Sequence, residues 1–205
     1  MPERELIVGG AALVLVDVQK GGDGAIPHME GPDARAERLR RTLRVLAAAR
    51  TAGLPVIFFR EAHRRNLVDF GRELDGAERV HLLEGERSSE LVDELAPRED
   101  DNEYVITKRR YSCFFGTDLL ILLRGLRVET LVLLGGLTDV CVHYTFVDAH
   151  QHDYVTRVIE DCCGGSSQAR HAAALDAMEY LQHGALRMAD EVCAAFGALA
   201  QVATR

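Results

Sequence analysis

Six short apolar runs recur along the chain, most of them followed by a stretch whose apolar residues fall at helical spacing, and this alternation restricts the fold more than any other feature. The runs cover 12–18, 55–59, 103–108, 131–134, 155–159 and 186–188; the helical patterns cover 34–52, 117–124, 140–152, 167–182 and 190–201. A run such as Ala12-Leu13-Val14-Leu15-Val16 lacks the polar alternation of a half-exposed strand, so it suits a strand buried on both faces. Strands of that kind, alternating with helices, need crossovers lying on both faces of a sheet. The expected fold class is α/β: a three-layer α/β/α, Rossmann-like architecture around a six-stranded, mainly parallel sheet. No linker of altered composition interrupts the pattern, so 1–205 reads as a single domain.

Between 60 and 103 the pattern thins to charges and the isolated Gly71, Gly76 and Gly85, with one short helix expected at 89–95 before Pro97. Irregular stretches of that length usually form site walls or oligomer contacts. Gly21-Gly22-Asp23-Gly24 reads as a flexible loop after the first strand. The formal charge of −8, from 24 Lys+Arg against 32 Asp+Glu, argues against a nucleic-acid partner held through phosphates. Arg38-Leu39-Arg40-Arg41 falls in a helical pattern and reads as a solvated face. No apolar run approaches the roughly 18 residues of a membrane helix, and the charged Met1-Pro2-Glu3-Arg4-Glu5 does not resemble a secretory leader, so a cytoplasmic location and no membrane partner are expected. Cysteines 113, 141, 162, 163 and 193 form no C-x-x-C pair; their odd number suits reduced thiols, with the vicinal Cys162-Cys163 following the fifth strand. The glycines at 21–24 and 164–165 lack the spacing of a phosphate-binding loop, so no nucleotide cofactor is indicated.

In parallel sheets ligands sit beyond the carboxyl ends of the strands. Asp17 lies near the end of the first strand, Lys108 ends the third, and Cys141 follows the fourth across Gly135-Gly136, with Asp139 as the expected helix N-cap. A thiol in the first helical turn is biased toward the thiolate by the unpaired N–H groups and the dipole. Each residue has an ordinary alternative: Asp17 capping a loop, Lys108 leaving the core, Cys141 packed as a small hydrophobe. Together they supply a base, a cation and a nucleophile at one edge.

The segments Leu15-Val16-Asp17-Val18-Gln19, Lys108-Arg109-Arg110-Tyr111-Ser112 with Phe114-Phe115-Gly116-Thr117-Asp118-Leu119, and Gly136-Leu137-Thr138-Asp139-Val140-Cys141-Val142 resemble those of the isochorismatase-like cysteine hydrolases. That family includes nicotinamidase, N-carbamoylsarcosine amidase, ureidoacrylate and biuret amidohydrolases, and vinyl-ether-cleaving isochorismatases. The resemblance implies an Asp17–Lys108–Cys141 triad, a cis peptide at Gly136–Leu137, and an oxyanion hole from the N–H groups of Leu137 and Cys141. It implies a cysteine-dependent amidohydrolase acting on a small carboxamide, carbamoyl or ureide substrate through a thioester. Two alternatives stand beside it: vinyl-ether hydrolysis by Asp17 acid catalysis, for which Cys141 is not needed, and a non-catalytic or thiol-regulated binding protein on the same fold.

Nicotinamidases carry an Asp-x-His pair and a later His that bind a metal, and the matching places here hold Glu61-Ala62-His63 and His81. No cofactor is expected, with Glu61 and His63 as polar lining; should zinc or another divalent ion bind, Glu61, His63 and His81 are its ligands. Gln19, Glu61, His63, Arg109, Tyr111 and Phe114 are the candidate substrate-binding residues, Arg109 because guanidinium binds carboxylate bidentately. Arg110 reads as a surface ion-pair residue. His143, His150 and His152 read as a solvated helix face. Family members commonly assemble as homodimers or homotetramers, which is the expectation here.

Overall fold

A computed structural model of the chain describes residues 5–21, Met29, 32–98 and 102–203. Of the Gly21-Gly22-Asp23-Gly24 loop, residues 22–24 lie outside the described residues, as does the Met1–Arg4 portion of the N-terminus. Six strands form one sheet: β1 Gly10–Val16, β2 Val56–Glu61, β3 Glu103–Lys108, β4 Val128–Gly136, β5 Val155–Gly164 and β6 Leu186–Arg187. Their order is β3-β2-β1-β4-β5-β6, and every pairing is parallel rather than only most of them. β1 and β4 are central, which is why Ala12–Val16 and Leu131–Leu134 are apolar throughout and wholly buried.

The helices are α1 Pro32–Thr51, α2 Leu119–Gly125, α3 His143–Gln151, α4 Gln168–Leu181 and α5 Ala189–Ala203. α1 and α5 pack together and both touch β5, while α3 packs on α4 and on β5. From β1 the chain steps outward to β2 and β3; from β4 it steps the other way to β5 and β6. Strand order therefore reverses between β1 and β4, which is where an open parallel sheet leaves a crevice.

Several boundaries differ from those expected, for local reasons. β4 continues through Gly135 and Gly136, and β5 through Cys162, Cys163 and Gly164, because after a register shift Gly135 pairs with Cys163 and Gly136 with Gly164. Cys162 and Cys163 thus lie within a strand and are buried, not in a loop after it. Gly135 has φ +124°, and any side chain there would run into the Val16 carbonyl, so glycine lets β1 and β4 close up at the crevice. The helix expected at 89–95 is two 3₁₀ turns, Arg87–Ser89 and Asp93–Leu95, separated by extended residues. Asp190 lies inside the first turn of α5, and Glu191 reaches back to accept from the Met188 N–H at 2.7 Å. Ser167 does cap α4, accepting from the Arg170 N–H.

The irregular stretch after β2 wraps the carboxyl edge of the sheet, and Gln19 pins it there. Its Nε2 donates to the carbonyls of Glu61 (2.8 Å) and Ser89 (2.9 Å), and its Oε1 accepts from the Glu61 N–H (3.0 Å).

Candidate active site

Three adjacent strand ends line up carboxylates and an ammonium. Lys108 closes β3, Glu61 stands opposite it in register at the end of β2, and Asp17 is the first residue past β1. Asp17 adopts φ +51°, a left-handed turn that Asp tolerates better than most residues and that takes the chain off the sheet. The Lys108 Nζ is wholly buried and lies 2.7 Å from Asp17 Oδ2, 2.6 Å from Glu61 Oε2 and 3.4 Å from Cys141 Sγ. Asp17, Lys108 and Cys141, separate in sequence, are thus brought together, and Glu61 joins them as a fourth member: its Oε2 is 3.7 Å from Cys141 Sγ.

Cys141 arrives on a π-helical turn, Thr138–Val142, that follows β4 and runs into α3; the peptide bond Gly136–Leu137 at its start is cis, as expected. Asp139 does not cap this turn. Its carboxylate accepts from the Ser166 N–H (2.8 Å) and Oγ (2.5 Å), tying the turn to the loop after β5. The Thr138 hydroxyl meets His171 Nδ1 of α4 at 2.8 Å. On the other side Thr145, fully buried, donates to the Cys141 carbonyl (2.7 Å) and accepts from the Cys113 N–H (3.0 Å), joining the nucleophile's turn to the segment that follows Lys108. The turn is therefore held from three directions, by α4, by the β5–α4 loop and by the segment after β3.

Burial pushes the Asp17 carboxyl up to about 6, against the opposing pull of the Lys108 ammonium. Burial works to lower Lys108, but Asp17, Cys141 and Glu61 outweigh it and hold the amine protonated. Burial likewise opposes ionisation of Glu61, yet Lys108, His63 and His81 keep it well below the usual carboxylate range. Cys141 corrects an expectation. Burial, with the charges of Asp17 and Glu61 and a hydrogen bond to Asp17, raises the thiol well above its ordinary value despite Lys108. A helix terminus biases a solvated thiol toward thiolate; here burial, with the neighbouring carboxylates, reverses that, and the resting sulfur keeps its proton beside Asp17.

Beyond Glu61 lies a second group. Glu61 Oε1 is 3.0 Å from His81 Nε2 and 3.3 Å from His63 Nε2, and the His63 ring stacks on Phe70 with centroids 3.8 Å apart. Glu73, buried in the 3₁₀ turn Glu73–Asp75, has no hydrogen-bond partner for either oxygen. Burial and the Glu61 charge push it up to about 8. Burial opposes protonation of His81, but the Glu61 carboxylate and the Arg79 carbonyl raise it to about 9. One donor atom from each of Glu61, His63, Glu73 and His81 lies within 4.8 Å of the others. Two imidazoles and two carboxylates, one of them buried with neither oxygen hydrogen-bonded, fit a divalent cation such as zinc. Nothing local in the sequence marked Glu73; only its position near His63, 3.8 Å away, brings it in.

A cavity of about 620 Å³ opens over Asp17, Glu61 and Cys141, floored by Gly135, Gly136 and Gly164. It meets a second cavity, of about 540 Å³, at Glu78, Tyr111 and Val140. Of the candidate substrate contacts, Gln19, Glu61 and Tyr111 line the first. His63 is fully buried behind it. Arg109 donates to the Ala62 carbonyl and to Glu84, and Phe114 packs beside His152 and Tyr154, so neither lines a cavity described here. Arg110 donates to the Asp69 carbonyl. His143, expected on a solvated face, lines the second cavity, whereas His150 meets the Gln182 side chain. Arg38 also leaves its expected solvated face and lines the first cavity.

A family model for the isochorismatase domain matches residues 11–190. Ureidoacrylate amidohydrolase RutB of Yersinia enterocolitica is 34% identical over 173 aligned residues, covering 74% of this chain and 74% of that protein. Among solved structures, N-carbamoylsarcosine amidase from Thermoplasma acidophilum superposes with a TM-score of 0.72 at 27% identity, covering 88% of this chain and 97% of that one. A cysteine hydrolase from Pseudomonas syringae pv. phaseolicola shares the fold, with a TM-score of 0.81 at 24% identity over 96% of this chain and 99% of that one.

Proposed function

This chain belongs to the isochorismatase family, and from that premise we propose that it is a cysteine-dependent amidohydrolase cleaving the C–N bond of a small carboxamide, carbamoyl or ureide substrate. The observation that carries the reading is the meeting of Asp17 and Cys141, which line the cavity, with the buried Lys108, whose Nζ is 2.7 Å from the carboxylate and 3.4 Å from the sulfur. The names of the relatives, an amidohydrolase and an amidase, support it.

In this scheme the substrate carbonyl enters over Cys141 with its oxygen toward the N–H groups of Leu137 and Cys141. Asp17 takes the thiol proton as sulfur attacks, and Lys108 stabilises the charge that develops. The tetrahedral adduct collapses, the amine or ammonia leaves with the proton held by Asp17, and an S-acyl or S-carbamoyl thioester remains. Water then gives a proton to Asp17 while its oxygen attacks; the adduct releases the acid, and Asp17 returns the proton to the sulfur. A carboxyl raised to about 6 suits both directions of transfer near neutral pH.

A divalent cation, if the protein carries one, would be held by Glu61, His63, Glu73 and His81 and would supply a Lewis acid beside the substrate. The chain is expected to act as a homodimer or homotetramer, which light scattering measures.

The test is ammonia release from a panel of small amides, carbamoyl amino acids and ureides by wild type beside Cys141→Ala. Release by wild type alone is expected. Equal release by both would sink the thioester scheme, and cleavage of a vinyl ether by both would favour Asp17 acid catalysis instead.

A further inference from the structure

The groups that meet at Cys141 are not all held in the same way. Asp17, Glu61 and Lys108 stand at the carboxyl ends of β1, β2 and β3, three neighbouring strands, so the sheet ladder spaces them. Cys141 lies past the end of β4, on a turn outside the ladder. Its 3.4 Å approach to the Lys108 ammonium therefore needs a constraint of its own. The bonds of Asp139 to Ser166 and of Thr138 to His171 do not supply it, since they tie the start of the turn to the β5–α4 loop and to α4, away from β3.

Two other ties join α3 to the segment after Lys108. The inner one runs through Thr145, whose hydroxyl accepts from the Cys113 N–H (3.0 Å) and donates to the Cys141 carbonyl (2.7 Å). A hydroxyl has one proton, so this pair of bonds fixes its direction and links the nucleophile's own peptide to the chain leaving the lysine. The outer tie, about one turn further along α3, is the Ser112 hydroxyl donating to Asp148 (2.5 Å), and it meets neither Cys141 nor Lys108. Thr145 is fully buried and lines neither cavity, so it acts on the site only through the peptides it bonds.

We propose that Thr145 is a positioning residue for the reaction: its paired hydrogen bonds set the distance from Cys141 Sγ to the Lys108 ammonium, and with it the reactivity of the thiol. The proposal rests on the amidohydrolase reading only for what the thiol attacks. Removing the hydroxyl leaves a buried N–H and a carbonyl without that partner and frees the turn from the segment after β3. A misplacement of about 1 Å is enough to cost roughly 10²-fold in rate. The ammonium's support of a developing thiolate also falls with distance. Thr145→Val keeps the shape and lacks the hydroxyl; Thr145→Ser keeps the hydroxyl.

The experiment follows alkylation of Cys141 by iodoacetamide, read by mass spectrometry on the tryptic peptide 128–157, which holds no other cysteine. Thr145→Val should be alkylated about tenfold or more slowly than wild type, and Thr145→Ser within about threefold of it. A purely structural role has the opposite sign, because Cys141 is only 7% exposed and a loosened turn would open it to the reagent. Ser112→Ala, which cuts the outer tie alone, should react at the wild-type rate. Melting curves establish that each variant is folded; if Thr145→Val is not, Thr145→Ala is read in its place with the same expected sign. An unchanged or faster rate in the folded variant, no recovery in Thr145→Ser, or equal slowing in Ser112→Ala overturns the proposal. Ammonia release by the wild type separates it from the parent reading. Slow alkylation of Thr145→Val with no release from any substrate keeps the positioned thiol and removes the hydrolase; release by the wild type with undiminished alkylation of Thr145→Val does the reverse. On a cleaved substrate, kcat should fall in Thr145→Val with KM within about twofold of wild type, and a raised KM at unchanged kcat counts against the proposal.

Discussion

Glu61 stands between two groups of ionisable side chains that are assembled in opposite ways. Asp17, Lys108 and Cys141 come from the ends of strands or the turn after one, and the ammonium there has a carboxylate oxygen on each side, at 2.7 and 2.6 Å. His63, Glu73 and His81 come from the irregular stretch after β2, and there neither carboxylate oxygen of Glu73 has a hydrogen-bond partner. The strand group balances its charges internally and stays ionised apart from the thiol. The loop group carries a carboxylate in excess, so it holds a proton or attracts a cation. Glu61 gives one oxygen to each. Pairing, more than burial alone, thus sets the charge state: Glu61 and Glu73 are both buried, yet they are shifted in opposite directions.

Changes in the strand group should have the largest effects. Asp17→Asn should lower kcat by about 10²–10⁴-fold, the range of a positioned general base. In the wild type, the raised carboxyl is protonated and useless as a base below about pH 6, so kcat/KM should rise with pH through about 6. An acid limb near pH 4 would show that Asp17 is not shifted. Lys108→Met leaves two buried carboxylates facing each other and should cost about 3–5 kcal/mol in urea denaturation. At the junction, Glu61→Gln loses a charge-assisted hydrogen bond to Lys108, about 1.5–3 kcal/mol or roughly 10–100-fold in kcat if it is felt in the transition state. Unchanged kinetics would assign Glu61 to the loop group alone.

Glu73→Gln should have the smallest effect on turnover and a distinct effect on stability. A carboxyl raised from 4.5 to about 8 on folding contributes stability that is fully present below pH 4.5 and lost as pH rises through 8. The wild-type Tm should therefore decline across that window and the Gln variant should decline less. Added zinc should raise the wild-type Tm at pH 8 more than that of the variant if the loop group takes a cation.

The strand group was legible because each member sits where an apolar run ends. Asp17 and Lys108 are the charges that close β1 and β3, and Cys141 follows the glycines that close β4. Reading the ends required only the rule that ligands gather at the carboxyl edge. Glu61 was marked only by the Glu61-Ala62-His63 pattern, since the apolar run stops at Phe59; the structure carries β2 on to Glu61 and sets it opposite Lys108. Glu73 and Arg38 carried no such mark. One lies in an irregular stretch with no periodicity, and the other in a helix whose charged face looked solvated until Gly164 was found beneath it.

What the sequence determined by itself is the alternating order of strands and helices, and with it the edge where the functional groups lie. Those depend on periodicity and on where apolar runs stop, which are local properties of the chain. Only the tertiary structure decided that Asp139 braces Ser166 instead of capping a helix, that the Cys141 thiol rests protonated, and which carboxylates are paired. Protonation and pairing follow from which groups meet in a low-dielectric interior, and those meetings join residues far apart along the chain.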